Sequence, residues 1–132
     1  SDILAVKNSI IDSALSSRST SEDYVQAVAK LSPVSAGAHS RNRLQQDREA
    51  LRSYCNILAS WFRDLYLLKA GISAQELINL DRKEELARVA RNAKFMDIEN
   101  VLQQISSSLL YIEHNANTRL LLTNLRWAIR GN

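Results

Sequence analysis

LQQDREALRSYCNILASWFRDLYLLKAG, residues 44–71, places a leucine at every seventh position: Leu44, Leu51, Leu58 and Leu65. Seven residues are close to two turns of an α-helix, so these side chains fall on one seam. Tyr54, Cys55, Trp61, Phe62 and Leu68 fill the positions beside it. The pattern predicts one helix from about Arg41 to Ala70, stopped by Gly71, a residue suited to the left-handed backbone that ends helices. At 1.5 Å per residue it is roughly 45 Å long. An apolar seam of that length needs other elements laid along it, so this helix is the expected spine of the domain.

Shorter helices are expected on both sides. Asp2 is placed to cap a first helix with Ile3, Val6, Ile10, Ala14 and Leu15 facing inward. Thr20 and Asp23 have capping-box spacing ahead of Tyr24, Ala27, Val28 and Leu31. Ser32-Pro33 ends that helix, and SPVSAGAHS, residues 32–40, reads as a loop or hinge. Beyond the spine, Ser73 with Glu76 and Asp81 with Glu84 repeat the capping-box spacing. Asp97 is placed to cap a helix whose Ile98, Val101, Leu102, Ile105, Leu109 and Ile112 recur at three- and four-residue intervals. His114-Asn115-Ala116 breaks it, and Asn117 or Thr118 caps the last helix. No segment alternates like a strand. The expectation is an all-α, bundle-like single domain over residues 1–132, with six or seven helices and one long central helix.

The last helix is unusual. Arg119, Thr123, Arg126 and Arg130 share one narrow stripe, and nearly every other position is apolar. The apolar arc spans about 200°, interrupted only by Asn124, whereas a surface helix needs an arc of roughly 100°. One face can pack on the domain itself. The remaining edge, with Leu120 and Trp127, is then free for a neighbour, and an exposed Trp makes a good interface anchor.

Composition fits a helical chain, with only 3 Gly and 1 Pro in 132 residues. The single Cys55 excludes an internal disulfide. No run of about 18 apolar residues exists, so no membrane span is expected. Ser1 in place of an initiator Met, in a chain already helical at its start, suggests an expressed fragment of a longer protein. Net charge is a mild +3, whereas nucleic-acid binders usually concentrate positive charge more strongly.

Chemistry is sparse. Gly37, Gly71 and Gly131 do not form a phosphate-cradling loop. His39 and His114 have no ligand partner three or four residues away, so no metal site is expected. Cys55 lies on the apolar side of the spine and reads as a small hydrophobe. Glu84 and Glu85 point about 100° apart on a helix and read as favourable charge near its N-terminus. No catalytic residue and no cofactor site emerges. Arg41, Arg48, Arg52 and Arg63, with Tyr66, lie along one flank of the leucine seam, where arginines can rest on apolar surface and reach a partner. Asp47, Glu49 and Asp64 are interspersed among them.

Three segments carry a family resemblance. ASWFRDLYLLKAG, residues 59–71, resembles a long helix in the C-terminal domain of the bacterial DNA polymerase III delta-prime subunit, a clamp-loader family. ELINLDRKEELARVA, residues 76–90, is similar to the segment that follows it. NANTRLLLTNL, residues 115–125, is similar to the Asn-x-Asn-Pro-Arg-Leu-x-Leu-Glu motif opening the last helix. Thr118 stands at the Pro position and Thr123 at the Glu position, so any ion pair made by that Glu is missing. The resemblance covers residues 41–130 well and 1–40 loosely.

The resemblance implies a collar-type helical domain that joins the subunits of a pentameric sliding-clamp loader in DNA replication. It implies N-terminal AAA+ modules in the parent protein, outside this chain, and membership of the DNA polymerase III holoenzyme. The chain itself would be no enzyme and would need no cofactor. Its partners would be the tau/gamma and delta subunits in the cytoplasm, with the sliding clamp and primer-template DNA met only through the whole complex. Arg63, Tyr66, Arg119, Leu120, Trp127 and Arg130 are the candidate interface residues. Two alternatives stand: the collar of the related tau/gamma protein, whose last helix also carries Arg-Leu-x-Leu, and a stand-alone helical nucleic-acid-binding domain.

Overall fold

The computed structural model describes residues 2–32, 40–114 and 117–131, and the side chains of these apart from residues 2 and 40–45. Residues 33–39 of the loop expected at 32–40, with His39, and Asn115-Ala116 of the break expected at 114–116 lie outside the described residues, as do the side chains of Arg41 and Leu44, while Ser40 already belongs to a helix. The described residues form six α-helices: α1 (Asp2–Leu15), α2 (Ser21–Leu31), α3 (Ser40–Lys69), α4 (Lys83–Asn92), α5 (Phe95–Ile112) and α6 (Thr118–Arg130). Two single-turn 3-10 helices, Ala74–Glu76 and Leu80–Arg82, link α3 to α4. No strand occurs among them.

The spine is as expected. α1, α2, α4 and α5 all pack on α3, and α6 lies across α5, α2 and α1. The α3 seam buries Leu51, Tyr54, Cys55, Leu58, Trp61, Phe62 and Leu65. Ile98, Val101, Ile105 and Ile112 of α5 meet it, with Leu102 and Leu109 half-buried at the sides. Gly71 ends α3 with φ +89°, and a Schellman pair of bonds closes it: Gly71 N–H to the Leu68 carbonyl and Ile72 N–H to that of Leu67. The Tyr54 ring meets Tyr24 edge-on at 5.8 Å, and the Tyr24 hydroxyl donates to the Ala14 carbonyl at 2.8 Å. Burial pushes both phenols above their usual range.

At α2 the capping box is complete: Thr20 Oγ1 accepts from Asp23 N–H, and the Asp23 carboxylate accepts from Thr20 N–H. Elsewhere the caps differ from expectation. Ser73 accepts from Gln75 N–H and starts only the 3-10 turn Ala74–Glu76. Asp81 does not cap α4, because Lys7 and Asn8 hold its carboxylate at 2.7 and 3.0 Å. These hydrogen bonds lower its pKa, Lys7 first. α4 instead begins at Lys83, with no side-chain cap, straight out of a 3-10 turn. Asp97 lies inside the first turn of α5, where its charge suits the helix dipole, and Lys94 occupies the cap position.

The inward face of α1 also needs correction. Ile10, Ile11 and Ala14 are buried, but Ile3 is 85% and Val6 44% exposed. The reason is polar. Lys7 and Asn8 grip Asp81, and Arg82 reaches Asp12 at 2.7 Å and Asn8 at 3.3 Å. Arg82 also pairs with Glu85 and lies 4.7 Å from the centroid of the Trp61 ring. These contacts fix the rotation of α1 and leave the outer side of its first turns in solvent.

The link between α3 and α4 hangs on a buried carboxylate. Asp64 is fully buried, accepting from the N–H groups of Ile78 and Asn79 at 2.9 and 2.8 Å and from Asn79 Nδ2 at 2.8 Å. Replacing it leaves the buried Asn79 N–H without a partner, at about 1–3 kcal/mol, frees the part-buried Ile78 N–H, and leaves Asn79 Nδ2 with Ser60 Oγ alone. Asp64→Ala is therefore expected to lower unfolding free energy by about 3 kcal/mol. Exposed Glu99 changed to Ala should shift it by less than about 0.5 kcal/mol. Urea titration followed by circular dichroism measures both.

Candidate functional site

The last helix shows how its wide apolar arc is used. Asn117 caps it, its side chain accepting from Leu120 N–H at 3.0 Å, and Gly131 ends it with φ +74°. Leu121, Leu122 and Leu125 are buried against the domain, and Ala128 and Ile129 pack at the edge of the core.

The arginine stripe is only partly open to solvent: Arg126 and Arg130 are half-buried, and Arg119 is exposed. It runs along the connection between α1 and α2 and the start of α2. Arg119 pairs with Glu22 at 2.7 Å, Arg126 Nε donates to the Ser19 carbonyl at 2.9 Å, and Arg130 Nη1 donates to the Leu15 carbonyl at 2.9 Å. The hydrogen bond from Arg119 holds Glu22 below the usual carboxylate range. Thr123 turns its hydroxyl back to the Arg119 carbonyl at 2.9 Å. The stripe thus docks the helix, and a different edge is left open. On that edge Leu120 is 60% and Trp127 58% exposed, with exposed Asn124 between them.

The structure does not gather all six candidate residues into one cluster. Leu120 and Trp127 share the open edge of α6. Arg119 and Arg130 turn toward α2 and α1. Arg63 is exposed on α3, and half-buried Tyr66, one turn on, meets Phe95 edge-on at 5.4 Å. Arg52 forms an ion pair with Glu113 at 2.6 Å. Sequence reasoning misses two exposed residues, Leu110 and Tyr111, at the end of α5 that leads into α6. Their signal is that they fall off the inward pattern of α5 while remaining large and apolar.

Other chemistry is quiet. Cys55 is fully buried, and burial pushes its thiol up to about 12. No group of three or more metal-ligating side chains occurs among the described residues, and no described helix is long and apolar enough to cross a membrane.

Two outcomes follow. Trp127→Ala is expected to change the stability of the chain by less than about 1 kcal/mol, whereas Leu122→Ala should cost about 2–5 kcal/mol by opening a cavity; urea titration separates them. Cys55 should resist a thiol reagent at pH 8 in the native state and react at once in denaturant, since the reactive species is the thiolate. Because its folded pKa is raised, the contribution of the protonated thiol is complete below pH 9 and lost as pH climbs toward 12.

No curated protein and no solved structure matches the chain. The model of one family, "DNA polymerase III, delta subunit, C terminal", matches residues 38–128. That match takes in all of α3, α4 and α5, with nearly all of α6, including Leu120 and Trp127. It does not distinguish delta from delta-prime. The chain belongs to the family formed by the C-terminal domain of the DNA polymerase III delta subunit, a clamp-loader family.

Proposed function

We propose that the chain is the collar domain of a clamp-loader subunit of the delta-prime type. It is a non-catalytic module that joins its parent protein to tau/gamma and delta in the cytoplasm while AAA+ modules of that parent do the ATP-driven work. The sliding clamp and primer-template DNA are then met by the assembled loader. The observation that carries this reading is the open edge of α6. The inner face of that helix is buried by its own domain through Leu121, Leu122 and Leu125, yet Leu120 and Trp127 stay exposed. Large apolar side chains on a well-anchored helix suit a persistent contact, because buried apolar area contributes about 25 cal/mol per Å² before association costs are subtracted. Arg63 and Tyr66 on α3 and Arg119 and Arg130 on α6 are further candidates for the contact, away from that edge. The family's name favours delta itself, and the Arg119-Leu120-Leu121-Leu122 segment is equally compatible with a tau/gamma collar, so partner choice decides among the three.

The test is reconstitution of the complete parent protein with purified tau/gamma and delta, followed by gel filtration. Leu120→Ala with Trp127→Ala is expected to weaken assembly by at least roughly tenfold, a central aromatic anchor being worth about 2 kcal/mol or more. Assembly at wild-type affinity would sink the proposal.

A further inference from the structure

The first two turns of α1 are attached differently from the rest of it. Ile10, Ile11 and Ala14 are buried in the core, whereas no residue among 3–9 is buried. α1 stands off α3 at this end. Ile3 and Val6 share an open, apolar groove of about 510 Å³ with Ile57 and Ser60 of α3 and Ile78 of the link. An open groove leaves such side chains without partner atoms on one side, so they give up much of their close-contact attraction.

What holds these turns is polar, and it converges on one dipeptide. Lys7 Nζ and Asn8 Nδ2 both donate to the Asp81 carboxylate, at 2.7 and 3.0 Å, and Asn8 Oδ1 accepts from Arg82 at 3.3 Å. Asp12, one turn on, accepts from Arg82 at 2.7 Å. This anchor does not depend on α1. Arg82 is also gripped by Glu85 and rests on the Trp61 ring, and Asp64 holds the amides of Ile78 and Asn79 just before it. Lys7 and Asp81 keep 17% and 29% of their side-chain surface open, so dissolved ions reach the pair.

We propose that the first two turns of α1 form a strap with a salt-sensitive clasp at Asp81 and Arg82, and that the strap opens as a unit while the core from Ile10 onward stays folded. The cause is a change of attachment along one helix. Past Ile10, burial ties α1 to the whole domain. Before it, the ties are ion pairs and hydrogen bonds of a kind that contributes little each and weakens as salt screens the charges. A segment with few buried apolar contacts and solvent-accessible backbone bonds belongs to the part of a fold that opens locally. Opening parts the two walls of the groove and bares more of Ile57 on one side and of Ile3 and Val6 on the other. A helix end that merely frays would loosen without regard to Asp81, whereas a clasped strap loosens when that carboxylate is removed.

The experiment is hydrogen exchange of the full chain, read by NMR at single amides across a salt series from roughly 50 mM to 1 M. Residues 6–9 are expected to exchange at least roughly a hundredfold faster than residues 98–105 of α5. High salt should speed residues 6–9 by about two- to fivefold and leave residues 98–105 unchanged. Asp81→Ala, and separately Lys7→Met, should speed residues 6–9 to a similar degree at low salt and shrink the salt response, while Glu99→Ala should behave as wild type. Three outcomes overturn the proposal. Residues 6–9 exchanging in step with residues 98–105 would mean that α1 opens only with the whole domain. An unchanged rate for residues 6–9 in folded Asp81→Ala would reduce the strap to simple fraying. A flat salt response in the wild-type chain, which needs no variant to fold, would remove the clasp.

Discussion

A 30-residue helix cannot bury its own apolar seam, and that constraint organises the domain. The seam of α3 is too long for any single neighbour. α2 covers its first half through Tyr24 and Val28, while α4 and α5 cover the second through Leu86, Ile98 and Val101. Each covering helix is apolar on one side only, so none can stand without the seam it covers. α6 adds a further layer, resting on α5 and α2 and closing the fold over Leu121, Leu122 and Leu125.

Polar side chains then decide how these helices are oriented. Apolar contacts are non-directional and tolerate rotation. Hydrogen bonds do not. Asp64 pins the link that reverses the chain after α3, Arg82 and Asp81 set the rotation of α1, and the arginines of α6 align it along the α1–α2 connection. All three arrangements place a charged group against backbone amides, carbonyls or an opposite charge, which offsets the cost of drawing it from water, although Trp61 Nε1, Asn79 Oδ1 and Arg130 Nε beside them stay buried without a hydrogen-bond partner. They also free particular edges. α1 exposes Ile3 because its other side is held, and α6 exposes Trp127 for the same reason.

The features readable in the sequence are those whose cause is local. The leucine heptad, the Thr20–Asp23 box, the stop at Gly71, the Asn117 cap and the inward face of α5 depend on residues within two turns of one another. What was not readable involves distant partners. Asp81 has capping-box spacing, yet its carboxylate is claimed by Lys7, 74 residues away. Asp64 resembles a solvated charge on an arginine flank, and only the folded link reveals the amides it receives. In the candidate site the exposure of Leu120 and Trp127 was legible because the apolar arc exceeds what one packing face requires. The inward use of Arg119 and Arg130 was not, since a helical wheel gives direction without saying what stands opposite.

The arginine contacts of α6 have a consequence for the order in which the domain takes shape. Arg126 and Ser19 are 107 positions apart, and Arg130 and Leu15 are 115 apart. Closing such loops carries an entropic cost before any contact offsets it. The hairpin-like assembly of α3, α4 and α5 involves much shorter separations and can form first. On a ribosome, α1 and α2 would therefore emerge early and wait, with their carbonyls at Leu15 and Ser19 hydrated, until the last helix is released. The last turn and a half of α6 acts as a latch on synthesis as well as on structure, and a chain stopped before Arg126 would keep α1 held at Asp81 and Arg82 while its α1–α2 connection lacked that fastening.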